Sequence, residues 1–188
     1  MSQPINIFPQ SPRYDPATDA VAGNPAAPIC KGPEAGSGRW SIVTLRVEGA
    51  RVERVTVSVP SDYSRTDKDP HRTTLLSPGK RIRWQAPRGR QIGLDLWLSS
   101  QASYPTVGAA VGATQFQFAE CRALSGHYTV WIARFGIREY QQEHYFVAAY
   151  CPVGPQAVIQ AFGTAPDEGE QSLQFAILGT MRAHGSAT

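Results

Sequence analysis

The sequence predicts an α+β domain that is mostly antiparallel β: one twisted sheet of about six to eight strands packed against a C-terminal helix, with an extended N-terminal arm. Three observations predict it. Segments with alternating apolar residues recur through the body of the chain, an amphipathic segment follows them near the end, and residues 1–38 hold seven of the fifteen prolines. The same strand pattern also allows a β-sandwich, which is the alternative.

Residues 1–38 are predicted to form a proline-rich extended arm. Proline fixes φ and lacks a backbone donor, so neither a helix nor a central strand is expected there. The arm either lies against a partner or its own domain, or it is a disordered tail. Its predicted partner-binding anchors are Ile5, Ile7, Phe8 and Tyr14. Each would contribute about 1.5–3 kcal/mol if fully covered.

Residues 39–188 are predicted to form a single β-rich domain. Val43, Leu45 and Val47 occupy alternate positions in the first segment, and a second alternating segment follows Gly49. This pattern predicts a β-hairpin over residues 40–59. Residues 60–79 are polar and rich in proline, which predicts a loop.

Residues 80–99 predict a second hairpin, in which each strand has one apolar face. We expect the register that places Trp84 opposite Leu94, because facing residues of an antiparallel pair share a side of the sheet. This register puts Arg83 opposite Asp95 and requires a loop with an odd number of residues, about three or five.

The same hairpin is basic, with five cationic residues and one acid. The expected register gives Arg83 a carboxylate and Arg81 an aromatic face. A solvated, cross-paired sheet face is therefore the favoured interpretation. Arg88 and Arg90 remain as candidates to contact an anionic protein or lipid headgroup. Nucleic acid is not expected as a partner, because the net charge of the chain is only +3.

Three strands are predicted between Tyr128 and Phe162. The middle one, Tyr145 to Cys151, has no charged residue, which indicates burial on both faces of the sheet. Residues 165–184 predict a helix that covers one face, with Thr164 as its N-cap and an apolar stripe along it. Residues 100–113 are a poor candidate for the second cover, because glycines weaken a helix there.

No motif of a known catalytic site is present: the chain has no phosphate-binding loop, no HExxH and no GxSxG. We therefore predict a protein that is not an enzyme and has no catalytic residues, metal or cofactor. Cys30, Cys121 and Cys151 lack the paired spacing of zinc ligands. Buried free thiols are the favoured interpretation, and a disulfide through Cys30 stays open for an oxidising compartment.

The predicted location is the cytoplasm, or the cytoplasmic face of a membrane complex. The chain lacks an apolar run of about 18 residues and begins without a secretory signal pattern. Charged residues make up 18% of it, against roughly 25% in typical domains. A surface with so little charge suggests cover by a partner.

The body resembles the PsbP-like superfamily, which includes extrinsic subunits of oxygen-evolving photosystems and bacterial relatives. The similar segments are Val57–Tyr63, the strand Tyr145–Cys151, the next strand through Phe162, and the closing segment Phe175–Arg182. The strand Trp40–Val47 and the long arm have no counterpart. The resemblance implies an α/β/α antiparallel sheet that serves as a non-catalytic module on a larger, photosynthetic-type complex.

Together these features predict a non-enzymatic accessory subunit that docks on a larger protein complex through its arm and the surface of its sheet. In one version of this prediction, the larger complex is membrane-bound. Peripheral contact with an anionic membrane surface is part of this expectation. The alternative is a module that binds a small ligand or a lipid between the sheet and a cover.

Overall fold

The computed structural model describes residues 13–15, 20–22, 28–31, 39–48, 52–66, 75–78, 81–98, 120–125, 128–154 and 157–185. Within these ranges the chain forms thirteen strands and one helix. The strands are β1 (Arg13–Asp15), β2 (Ala20–Ala22), β3 (Trp40–Val47), β4 (Val52–Pro60), β5 (Ser64–Arg65), β6 (Leu75–Leu76), β7 (Ile82–Ala86), β8 (Arg90–Leu98), β9 (Cys121–Ser125), β10 (Tyr128–Glu139), β11 (Gln142–Gly154), β12 (Ala157–Ala165) and β13 (Arg182–Gly185). The helix, α1, runs over Glu168–Gly179.

The main sheet has seven strands in the order β5-β7-β8-β12-β11-β10-β9, and all of its neighbours are antiparallel. A second sheet has four strands in the order β13-β4-β3-β6, of which only β3 and β6 run parallel. Strands β1 and β2 pair with each other. The predicted α+β class and the antiparallel main sheet are confirmed. The second sheet is absent from the predicted single-sheet arrangement, and two packed sheets were expected only in the β-sandwich alternative.

The core lies against one face of the seven-stranded sheet, which we call its inner face. Val147 and Ala149 of β11 and Ile159 of β12 are fully buried there. They share one apolar cluster with Val55 of β4 and Ile177 of α1. Helix α1 and the four-stranded sheet therefore cover the same face, because both must bury an apolar side.

Helix α1 is shorter than the predicted range 165–184. Its N-cap is Asp167, whose Oδ1 accepts a hydrogen bond of 2.9 Å from the backbone N–H of Glu170. The predicted cap, Thr164, is still within β12. At the other end, Thr180 closes the helix and the chain enters β13, which pairs with β4. The predicted boundaries were wrong because strand pairing, a long-range contact, takes residues at both ends.

The β7–β8 hairpin has the predicted odd loop, made of the three residues Pro87, Arg88 and Gly89. Its register is shifted by two residues from the prediction. Trp84, which was predicted to face Leu94, faces Ile92, and Leu94 is opposite Ile82. Arg88 and Gly89 have φ of 68° and 75°, which lets a loop of only three residues reverse the chain.

The shifted register changes the partner of the acid in this hairpin. Arg81, rather than Arg83, meets Asp95: its Nε and Nη2 both donate to Asp95 Oδ2, at 2.9 and 2.7 Å. The predicted pairing of Arg83 with Asp95 was therefore wrong, and Gly93 stands opposite Arg83.

Candidate interaction surfaces

The end of the arm is fastened to the edge of the main sheet. Residues 28–31 run beside β9, with a parallel bridge between Ile29 and Arg122. The backbone N–H of Cys30 donates to the carbonyl of Arg122, and the N–H of Arg122 donates to the carbonyl of Pro28, both at 2.9 Å. The arm therefore continues the hydrogen bonding of the sheet past β9, which would otherwise present an open edge.

A disulfide between Cys30 and Cys121 makes this attachment covalent. Their Cα atoms are 4.9 Å apart, although 91 positions separate them in the chain. The favoured interpretation of three free thiols was thus wrong for these two residues, and the open alternative is correct. Cys151 is free and buried, as predicted. Burial raises the pKa of the Cys151 thiol to about 12.

The outer face of the main sheet carries a set of aromatic side chains. Cross-strand pairing puts Trp131 of β10 opposite Tyr150 of β11. The ring of Phe162, which is diagonal to Tyr150 in the register, lies against the ring of Phe146, with centroids 5.6 Å apart and planes tilted by 37°. Trp131, Phe146 and Phe162 are partly exposed. We call Trp131, Phe146, Tyr150 and Phe162 the aromatic face.

Within the described part of the chain, two buried polar groups on this face have no hydrogen-bond partner. The Tyr150 side chain is only 1% exposed, and its hydroxyl is unpaired. Gln160, directly opposite Tyr150 in the register, has an unpaired Nε2. Burial also raises the pKa of Tyr150, which keeps the hydroxyl neutral. Buried polar groups are normally bonded, so these two groups make the aromatic face a candidate site for a polar ligand.

Arg90, a predicted partner-binding residue, forms its ion pairs and hydrogen bonds within the protein. It is 8% exposed, and its guanidinium binds Asp62 at 2.9 Å and Glu170 at 3.0 Å. Its Nε donates to the carbonyl of Pro87 at 2.8 Å, and the group lies over the ring of Tyr63. Arg90 joins the main sheet to α1 and to the turn after β4, and this position corrects its predicted role at the surface.

Gln174 makes a second polar connection between α1 and the main sheet. It is fully buried, and its Nε2 donates to the carbonyl of Thr164 at 2.7 Å. The same nitrogen lies 3.3 Å from the carbonyl of Gln91 and 3.3 Å from the hydroxyl of Tyr63. Sequence reasoning missed Gln174, because a glutamine on a helix is ordinarily solvent-facing.

The other predicted partner-binding residues are placed as follows. Ile5, Ile7 and Phe8 lie outside the described residues. Tyr14 is in β1, opposite Val21. Arg88 is exposed in the β7–β8 turn, where its role stays a prediction.

Among the described residues, no three His, Cys, Asp or Glu side chains are grouped to hold a metal ion. In that same part of the chain, no helix has the length and apolar character needed to cross a membrane.

The fold and these surfaces define an antiparallel sheet protein with an arm fastened to its edge. No family model matches the chain, and no curated protein matches it. Among solved structures, it is similar to cyanobacterial PsbP from Synechocystis, at 12% identity and a TM-score of 0.34, over 81% of this chain and 98% of that one.

Two further solved structures are similar to this chain. LpqN of Mycobacterium tuberculosis, described as involved in cell envelope biogenesis, matches at 12% identity and a TM-score of 0.44, over 78% of this chain and 92% of that one. A protein of Bacteroides thetaiotaomicron matches at 11% identity and a TM-score of 0.40 over 70% of this chain, which spans 46% of that protein. At these identities and TM-scores, no function is taken from any of the three.

Proposed function

We propose that this chain is a non-enzymatic accessory subunit that docks on a larger protein assembly through its arm and the outer face of its main sheet. The observation that carries this proposal is the covalent and hydrogen-bonded attachment of residues 28–31 to β9. The attachment fixes where the preceding residues leave the body. A fixed starting point lowers the entropy that the arm loses when it binds.

The attachment also brings the arm next to the aromatic face. Strand β9 is the edge of the sheet, and β10, which carries Trp131, is its neighbour. Leu124 of β9 is 54% exposed. A partner that contacts the arm can therefore also cover partly exposed apolar side chains, which supply most of the binding energy in protein interfaces.

The disulfide supports a different compartment from the one expected from the sequence. Disulfides persist in oxidising environments and are rare in the cytoplasm. We propose that the protein works in an oxidising compartment. Docking on a photosynthetic-type membrane complex, the narrower version of the function, stays a prediction.

Deletion of residues 1–27 tests the docking proposal, because it removes the arm and retains Pro28–Lys31 with the disulfide. Tagged protein would be expressed in the native source and recovered with its partners. We expect the deletion to abolish co-purification while the thermal midpoint stays within a few degrees of the full-length value. Unchanged co-purification would overturn the proposal.

The matched control for this deletion is Tyr140→Ser. Tyr140 is 90% exposed in the turn between β10 and β11 and is not part of the arm. It should leave both co-purification and stability unchanged. Equal loss of the partner in the deletion and in this control would show that the assay reports any change to the surface, and would also count against the arm.

A second function, binding of a small polar ligand at the outer face, is favoured by the unpaired groups of Tyr150 and Gln160. Native mass spectrometry of protein from its own source tests it. A bound molecule that is present in the wild type and lost in Tyr150→Phe would support a ligand-binding module. A bare chain mass in both proteins would exclude it.

A further inference from the structure

The outer surface of the four-stranded sheet carries a row of basic side chains. The inward-facing Leu45 and Val55 are fully buried, so the alternate residues point away from the core. The register places Arg46 of β3 opposite Arg54 of β4, and Arg54 opposite His184 of β13. These three residues cross three neighbouring strands in one line. We call them the basic row.

Like charges directly opposite each other destabilise a sheet. Arg46 and Arg54 are both exposed. The nearest acids in the sequence, Glu48 and Glu53, form no ion pair with them in the described part of the chain. His184 has only a polar partner, since its Nε2 lies 3.1 Å from the hydroxyl of Thr56. Arg46 and Arg54 therefore keep positive charge turned outward, with no compensating acid among the residues that the structure describes.

Three other arginines of the described strands and their flanks are paired with acids. Arg81 pairs with Asp95, Arg90 pairs with Asp62 and Glu170, and Arg134 pairs with Glu120. Arg46 and Arg54 have no such carboxylate among the described residues, and they stand directly opposite each other. Both guanidinium groups are therefore available to a carboxylate supplied by a partner.

Two apolar side chains flank the row. Leu75 of β6 stands beside Arg46 in the parallel register and is 40% exposed. Ile42 lies on the same side of β3 as Arg46 and is 74% exposed. The surface thus combines cations with apolar groups that a folded protein normally covers. It is complementary to a segment in which acids are interspersed with apolar residues.

We propose that the basic row binds an acidic segment of a partner protein. Arginine favours this occupant because its planar guanidinium forms paired hydrogen bonds with a carboxylate. An anionic membrane is the weaker choice, since peripheral lipid binding commonly uses about four to eight basic residues. The row is made of residues of the four-stranded sheet and shares none with the arm or the aromatic face, so this proposal stands independently of the docking function above.

The direct test is binding of a fluorescein-labelled peptide with the repeating sequence Glu-Leu-Asp-Ser, followed by fluorescence anisotropy. We compare the wild type with the double variant Arg46→Gln/Arg54→Gln. We expect the double variant to bind at least about tenfold more weakly, because two charge-assisted contacts are lost. Wild-type binding should weaken as salt is raised. Equal affinity in the two proteins would overturn the proposal.

The matched control is Arg39→Gln. Arg39 is exposed just before β3 and lies about 23 Å along the chain from Arg46. The Arg39→Gln variant should bind the peptide with the affinity of the wild type. A loss of affinity equal to that of the double variant would contradict a role for the basic row. Vesicles of phosphatidylcholine with phosphatidylserine test the rival occupant. Row-dependent binding to the vesicles without binding to the peptide would also overturn the proposal.

A second readout does not depend on the choice of peptide. Because Arg46 and Arg54 repel each other, each single change to glutamine should leave the thermal midpoint equal or higher. A clear fall in the midpoint for Arg54→Gln would show that the arginine is needed for folding. That result would contradict its assignment to a partner.

Discussion

At the scale of single residues, Arg90 shows how far a side chain's role can depend on distant neighbours. The sequence places it in a basic turn, where surface contact is a reasonable expectation. The fold brings Asp62 and Glu170, from the turn after β4 and from α1, to the same guanidinium. No local pattern around residue 90 reveals these partners, because they are 28 and 80 positions away.

We predict that Arg90→Ala lowers the free energy of unfolding by about 2 kcal/mol. Removing one member of a buried ion pair costs about 3–5 kcal/mol, and the value is reduced here because Asp62 and Glu170 are 46% and 21% exposed. Urea denaturation measures it. Arg83→Ala, an exposed change in the same hairpin, should stay within about 0.5 kcal/mol of the wild type. Equal losses of stability in Arg90→Ala and Arg83→Ala would contradict a structural role for Arg90.

A second prediction concerns the close approach of β12 to α1. A Cβ added at Gly163 would lie 2.6 Å from Gln174 Oε1. Because hydrogen bonds fix that amide, Gly163→Ala should lose about 1–3 kcal/mol of stability. Gly169→Ala is the control: its Cβ would meet Asp167 at an ordinary 3.4 Å, and a helical alanine should gain up to about 1 kcal/mol. Similar urea midpoints for both variants would contradict the contact.

The cysteines give a third prediction. Cys151 has its pKa raised by burial to about 12 from 9.0, so at pH 8 it is a neutral thiol and should react with a thiol reagent only after unfolding. Protein unfolded without reductant should show one reactive thiol per chain, and reduced protein should show three. Three thiols without reduction would exclude the disulfide.

The same shift makes stability depend on pH. The folded pKa is higher than the unfolded one, so the contribution of Cys151 to stability is complete below about pH 9 and is lost as the pH rises toward 12. The expected slope is about 1.4 kcal/mol per pH unit within that interval. Urea midpoints at pH 8 and pH 10 should differ less in Cys151→Ala than in the wild type. The same difference between the two urea midpoints in both proteins would contradict the raised pKa of Cys151.

At the scale of elements, alternation of apolar residues predicted the strands well. It assigned the core side of β3, β4, β7 and β8 correctly, because burial follows the two-residue period of a strand. It could not fix the register of the β7–β8 hairpin, which depends on whether Arg88 and Gly89 adopt positive φ. It also could not predict that β3 and β4 form a separate sheet, because that sheet depends on pairing of β4 with β13, about 130 positions further along the chain.

We predict that Cys30→Ser loosens the attachment of the arm and lowers the free energy of unfolding by about 2–4 kcal/mol, because the disulfide closes a long loop. Urea denaturation of the variant with and without reductant measures this. Reductant should destabilise the wild type by a similar amount and leave the variant unchanged. Equal stability of oxidised wild type and variant would show that the attachment contributes nothing to the fold.

At the scale of the whole molecule, the sequence correctly predicted that the central strand β11 is buried on both faces, since every residue from Val147 to Cys151 is at most 1% exposed. It assigned one cover to the helix, whereas the inner face is covered by α1 and the four-stranded sheet together. The sequence left open an arm that lies on its own domain and a disulfide through Cys30. It could not name Cys121 as the partner, because only the completed fold brings the two cysteines together. The two outer surfaces, aromatic on one sheet and basic on the other, follow from that arrangement.

The central claim is that the arm of this chain docks on another protein. Site-specific photo-crosslinking in the native source tests it most directly, with the photoreactive residue placed in turn at Ile5, Phe8 and Tyr14, and at Tyr140 as the control. The docking account predicts one heavier species of the same mass from the arm positions and none from Tyr140. Only monomer at every position, or the same product from the arm and from Tyr140, would contradict it.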